Sequence, residues 1–101
     1  MAKGYWIAHV DVIDPEGYKK YIAANAAAFA KYCARFLVRG GAHKVAVGAS
    51  KPRHIVIEFP DYAAALACLE SDEYKRAAEF RDAASNADLI VVEGYEGSQP
   101  G

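Results

Sequence analysis

From Arg53 to Phe59 the chain alternates Ile55, Ile57 and Phe59 with His54, Val56 and Glu58, the period of two that marks a strand whose faces meet different surroundings. Pro60 has no N–H to give a ladder and Asp61 suits a helix N-cap, so a strand ends and a helix begins there. The same alternation runs from Gly4 to Val12, with Trp6, Ala8, Val10 and Val12 wholly apolar and Tyr5, Ile7, His9 and Asp11 mixed. Asp14-Pro15 then predicts a helix start, because Asp14 can accept unpaired N–H groups and Pro15 fits the first helical position. Tyr18, Ile22, Ala26, Phe29 and Cys33 recur every three or four residues, with Tyr21 and Tyr32 on the flanks, as an apolar helical stripe.

Period two resumes at Arg35 to Arg39, setting Phe36 and Val38 against Arg35, Leu37 and Arg39. Gly40-Gly41 predicts a bend before His43 to Val47 continues the same strand, and Gly48 to Pro52 is turn chemistry that closes a hairpin. Asp61 to Leu69 and Ser71 to about Ala84 read as a broken helix with Ser71 as the second N-cap. Asn86-Ala87 reads as a turn and Asp88 to Tyr95 as a last strand on Leu89, Ile90, Val91 and Val92. The polar residues 95–101 form a tail expected to fray.

The order βαββαβ predicts an α+β fold, a ferredoxin-like sandwich of a four-stranded antiparallel sheet with the helices on one face. Its 101 residues fit one domain spanning 1–101. Trp6, Ala8, Val10, Val12, Phe36, Val38, Ile55, Ile57, Phe59, Ile90 and Val92 are expected under the helices. The other face then carries Tyr5, Ile7, His9, Asp11, Leu37, Arg39, His54, Val56, Glu58, Leu89, Val91 and Glu93, too apolar at its centre for water and charged enough to need partners. A second copy would cover it, so the expected partner is the protein itself.

Charge and composition narrow the function. The formal net charge is −1, with 12 basic and 13 acidic residues intermixed, so no basic stripe exists for nucleic acid. The Ala-rich run from Asp14 to Ala34 is broken by Lys19, Lys20, Asn25 and Lys31, which excludes a membrane span, and no secretory signal precedes the first strand. Cys33 and Cys68 lack metal or redox spacing and read as buried thiols in a reducing, cytoplasmic setting. No residue pattern implies a bound cofactor or metal ion, although His9, His54 and Glu58 on adjacent strands approximate two histidines and a carboxylate.

Tyr5-Trp6-Ile7, Asp14-Pro15 with Tyr18 and Tyr21, Phe36-Leu37-Val38-Arg39-Gly40, Glu58-Phe59-Pro60, Ser71-Asp72-Glu73-Tyr74, Arg81 and Glu93-Gly94 follow one another in an order that resembles the domain of unknown function 1330 family. That resemblance spans nearly the whole chain. It implies similarity to the dimeric α+β barrel proteins, in which two sheets pack face to face, a superfamily that includes cofactor-free monooxygenases, isomerases, haem enzymes and proteins without known activity. The chain departs from the family pattern at Cys33-Ala34, where a Gly pair is usual, and at Val45-Ala46-Val47-Gly48-Ala49, where a Glu-Gly is frequent.

Two functional readings follow. In one, His9, His54 and Glu58 are catalytic candidates that move a proton, while Arg39, Glu93, Tyr18, Tyr74 and Arg81 bind a small anionic or enolisable molecule, as a ligand-binding protein or cofactor-free enzyme. In the other, the same charges compensate one another across a non-catalytic homodimer interface, with Arg39 forked onto Glu58 or Glu93 and Arg81 stacked on tyrosine.

Overall fold

The structure, a computed structural model, describes residues 2–101; Met1, where the expected chain start falls, lies outside the described residues. The elements run β1 (Gly4–Val12), α1 (Pro15–Lys31), β2 (Arg35–Arg39), β3 (Arg53–Phe59), α2 (Tyr62–Glu70), α3 (Asp72–Ala84) and β4 (Ser85–Glu93). The strands form one antiparallel sheet in the order β2-β3-β1-β4, the ferredoxin-like arrangement expected of βαββαβ.

Local chemistry accounts for the helix boundaries. Asp61 accepts a hydrogen bond from the Ala64 N–H at 2.7 Å to start α2, and Ser71 Oγ accepts from the Tyr74 N–H at 3.1 Å to start α3. The helix therefore breaks where the second cap was expected. Pro15 begins α1, but the Asp14 side chain makes no capping bond; its backbone N–H instead donates to Ala84 O at 3.0 Å, tying the start of α1 to the end of α3. Cys33 closes α1 in the left-handed region at φ 59°, where glycine is the unstrained residue. Contrary to expectation Cys33 is exposed, while Cys68 is buried with its thiol pushed up to about 12 by burial.

The aromatic core sits between the helices and one sheet face. Trp6 meets Phe29, Phe59 and Tyr74 with ring centroids 5.4, 5.3 and 4.7 Å away, and its Nε1–H donates to Ala65 O at 2.9 Å. Ile57 and Phe59 are buried there, as alternation predicted. The helical stripe is rotated from the one expected: α1 buries Tyr18, Tyr21, Asn25, Ala28 and Phe29, leaving Ala26 exposed.

β4 reverses its expected faces, and β2 does so beyond Phe36. A bulge at Leu37 shifts the β2–β3 register, so Phe36 pairs with Ile57, Val38 with Val56 and Arg39 with Ile55. One extra residue flips every following side chain. Val38 thus lies on the open face and Arg39 on the helix side. In β4, Leu89 pairs with Ala8 and Val91 with Trp6, so these two and Glu93 share the helix side, whereas Ile90 and Val92 face outward. The strand also starts at Ser85, with Asn86 and Ala87 inside it rather than in a turn. Residues 40–52 carry no strand, so the expected continuation through His43 to Val47 is a loop.

Candidate functional site

A cavity lies between the sheet and the helices, with about 30 Å³ of free volume, enough for about two water molecules. Register builds its floor. Phe36, Ile57, Trp6 and Val91 form one helix-side row, Arg39, Ile55, Ala8 and Leu89 the next, and Arg53, Val10 and Ala87 a third. Tyr18, Tyr21, Ile22, Asn25 and Phe29 from α1 and Tyr74 and Arg81 from α3 form the roof. Arg39 and Ala87 are exposed while Trp6, Phe29 and Ile57 are buried, which puts the mouth beside the former and the closed end at the latter.

Deep in the roof, the Tyr21 and Tyr74 hydroxyls meet at 2.7 Å, and Arg81 Nη1 donates to the Tyr74 oxygen at 2.8 Å. Arg81 is held in turn by Asp82, to which Nε and Nη2 donate at 3.3 and 3.0 Å. Burial, reinforced by Tyr74, pushes the Tyr21 phenol far above its usual range; burial also raises Tyr74, against the hydrogen bonds from Tyr21 and Arg81. Both rings are therefore neutral hydroxyl donors at neutral pH.

The mouth holds two further cations. Arg39 stacks on Phe36 at 4.1 Å and Arg53 lies 5.6 Å from the Tyr18 ring centre. Arg53 Nε is buried with no hydrogen-bond partner among the described residues. Gly40, at φ 68°, gives that guanidinium its space, since a Cβ there would collide with it. Among the described residues no Asp, Glu or His lines the cavity. It offers three guanidinium groups and tyrosine hydroxyls inside an apolar shell, a donor set that suits an organic anion.

The histidines lie on the opposite side of the sheet. There the paired positions form rows Arg35–Glu58–Tyr5–Val92, Val38–Val56–Ile7–Ile90 and His54–His9–Asp88. His9 Nδ1 and His54 Nδ1 are 2.8 Å apart, which requires one to donate and the other to accept, and the His43 ring lies 4.5 Å from that of His54. Burial, then His43 and His9, lower the His54 pKa. Glu58 accepts from the Tyr5 hydroxyl at 3.5 Å, and Lys51 pairs with Asp88. Among the described residues no group of three or more His, Cys, Asp or Glu is placed to hold a metal ion.

The expected site set is thus divided. Tyr18, Tyr74, Arg81 and Arg39 line the cavity together; His9, His54 and Glu58 share the open face; and Glu93 is exposed near the end of β4, outside the cavity lining. Arg39 forks onto neither Glu58 nor Glu93 among the described ion pairs, and its expected place on the open face is overturned by the Leu37 bulge. Sequence reasoning passed over Arg53, Tyr21 and Asn25. Arg53 was signalled by parity with Ile55, Ile57 and Phe59, and Tyr21 and Asn25 by helical spacing from Tyr18 and Phe29.

Residues 3–95 match the family described as Domain of unknown function (DUF1330). The chain belongs to the DUF1330 family. Solved structures share the fold of this DUF1330 protein. A protein of unknown function from Rhodopseudomonas palustris is 17% identical, with 95% of this chain and 85% of that one covered and a TM-score of 0.75. SnoaB, described as a cofactor-independent oxygenase from Streptomyces nogalater, is 17% identical over 99% of this chain and 97% of its own, with a TM-score of 0.64. A hypothetical Arabidopsis thaliana protein is 11% identical over 99% and 90%, with a TM-score of 0.62. At these identities the likeness is one of fold. No curated protein shows significant sequence similarity to the chain. Among the described residues no helix is long and apolar enough to cross a membrane.

Proposed function

We propose that this DUF1330 protein binds a small, largely apolar organic anion in the cavity between its sheet and its helices, and does so as a homodimer closed through the open sheet face. The observation that supports the site is Arg53: a buried Nε–H without a partner, beside the exposed Arg39, in a cavity lined by no acid. A buried donor left unpaired costs about 1–3 kcal/mol, which an incoming carboxylate recovers. The apolar floor of Trp6, Ala8, Ile55 and Leu89 selects the rest of the ligand. A ring-sized ligand requires the mouth at Arg39 to rearrange, since the closed cavity has room for only about two waters.

The dimer reading is supported by the row Val38–Val56–Ile7–Ile90, an apolar belt crossing all four strands, with Arg35 and Glu58 on one side and Lys51 and Asp88 on the other. Ile90 is 56% exposed and Val38 40% in the single chain. Such a belt with mixed charge around it fits a second copy of itself. Two free thiols suit a reducing, cytoplasmic setting. Catalysis on the bound anion without a cofactor, the property named for SnoaB, is a second reading favoured by the neutral Tyr21–Tyr74 hydroxyl pair. A non-catalytic homodimer is the alternative.

Trp6 is the sole tryptophan and lines the cavity, so its emission reports occupancy. Benzoate should change that emission saturably while benzyl alcohol, of similar shape but uncharged, should not. Equal responses to both, or none to any aromatic or aliphatic carboxylate tried, would reject the anion site.

A further inference from the structure

We propose that the cavity holds its ligand by two oxygens: a carboxylate at Arg39 and Arg53, and an enolate or phenolate oxygen at the Tyr21–Tyr74 hydroxyl pair. The ligand class is then a small apolar acid carrying a second, acidic O–H, and the inference rests on the anion-binding reading above.

A count of hydrogen atoms carries it. Two hydroxyls contribute two protons, and their mutual contact at 2.7 Å consumes one. Arg81 adds only donation, its Nη1 pointing into the Tyr74 oxygen, and Asn25 hydrogen-bonds Tyr21 in the sense that lowers the phenol's pKa, as a donor does. If Tyr74 donates to Tyr21, the Tyr21 proton is left over; if Tyr21 donates to Tyr74, the Tyr74 proton is. Either way one O–H has no acceptor in the pair. Tyr21 is 7% exposed and Tyr74 2%, so an acceptor for it has to sit in the cavity, which both rings line. Arg81, fixed by Asp82, orients the pair rather than serving as a free cation. The spare hydroxyl and the unpartnered Arg53 Nε–H therefore form two separate donor positions, one in the roof and one at the floor row near the mouth.

What the lining omits decides the state of the second oxygen. With no Asp, Glu or His in the cavity, nothing there accepts a proton near neutral pH. The ligand O–H must give its proton to water on the way in, and the site then stabilises the anion formed. A neutral donor pair beside cations lowers the pKa of whatever acidic O–H it meets, because it favours the anion.

4-Hydroxy-3-nitrobenzoate tests this against 3-nitrobenzoate, since the two acids differ by one hydroxyl whose ionisation shows in visible absorbance. The hydroxylated acid should bind the parent protein at least about tenfold more tightly, with its phenol pKa lowered by about one unit when bound, the mark of a phenolate held about tenfold more tightly than the phenol. In Tyr21→Phe/Tyr74→Phe the ratio should fall to about one while 3-nitrobenzoate binds as before. A ratio near one in the parent, or a ratio unchanged in the double variant, overturns the two-oxygen site and leaves the carboxylate site standing. Failure of both acids to bind overturns both. If the double variant does not fold, the pKa of the bound phenol in the parent decides: a phenol pKa that is not lowered on binding also overturns the inference.

Discussion

Arg53→Met should make the empty protein more stable and unable to bind an anion. Methionine keeps an unbranched stem against Tyr18 and removes the guanidinium. The loss eliminates a buried Nε–H with no partner among the described residues, a group that costs about 1–3 kcal/mol while it stays unpaired. Against this stands the contact of the Arg53 cation with the Tyr18 ring at 5.6 Å, which contributes about 0.5–1 kcal/mol at a partly exposed site. The balance favours the variant by about 1 kcal/mol, or about 4 °C in melting midpoint for a chain of this size. Urea denaturation without ligand measures it, through a raised midpoint at unchanged slope. Benzoate titration of the same sample should show no saturable change. A midpoint lowered by more than about 1 kcal/mol equivalent would refute the reasoning, because Arg53 would then be a structural partner rather than a donor waiting for one.

Other outcomes follow from single residues. Cys33→Gly relieves the left-handed strain at φ 59° and should stabilise by about 1 kcal/mol in the same denaturation assay. Val56→Asp places two carboxylates in the proposed symmetric contact and should weaken association at least tenfold, about 1.4 kcal/mol or more, by light scattering with circular dichroism unchanged; a parent that is monomeric at micromolar concentration would sink the dimer. His54 has a lowered pKa in the fold, so its contribution is complete above the unfolded histidine pKa near 6.5 and is lost as pH falls, when only the unfolded chain takes the proton; the midpoint should drop between pH 7.5 and 5.5 and less so in His54→Asn, with His9, His43 and Asp88 the groups facing the switch. Iodoacetamide should label exposed Cys33 in the native protein and spare Cys68, whose thiol is pushed up to about 12 by burial, and equal labelling would contradict that packing.

Strands with two unlike faces were legible in sequence. Trp6, Ile57 and Phe59 announced their side because polar Tyr5, His9, His54 and Glu58 alternate with the apolar positions of the two strands. β4 gave no such signal: Leu89, Ile90, Val91 and Val92 are apolar without alternation, and only pairing with Ala8 and Trp6 decides which two go inward. In β2 the alternation was misleading, because Phe36 to Arg39 reads as regular while the chain holds an unpaired residue at Leu37. Both caps of the broken helix were readable, since Asp61 and Ser71 act through bonds to residues three further on. The Tyr21–Tyr74 contact joins residues 53 positions apart and follows only from the packing of α1 on α3.

The Leu37 bulge does more than misplace two side chains. It decides how the chemistry of this protein is partitioned. Without it Arg39 would stand on the open face beside His54 and Glu58, giving a cation, a proton carrier and a carboxylate together. With it Arg39 joins Arg53 and Arg81 under the helices, while the histidines stay across the sheet. A strand carries successive side chains to opposite faces, so no rotamer change brings His9 or His54 to the cavity. The imidazoles and the guanidinium groups therefore belong to separate surfaces. A dependence of ligand affinity on pH in the histidine range would report assembly through the open face, whereas the cavity's own response would follow the ionisation of the ligand.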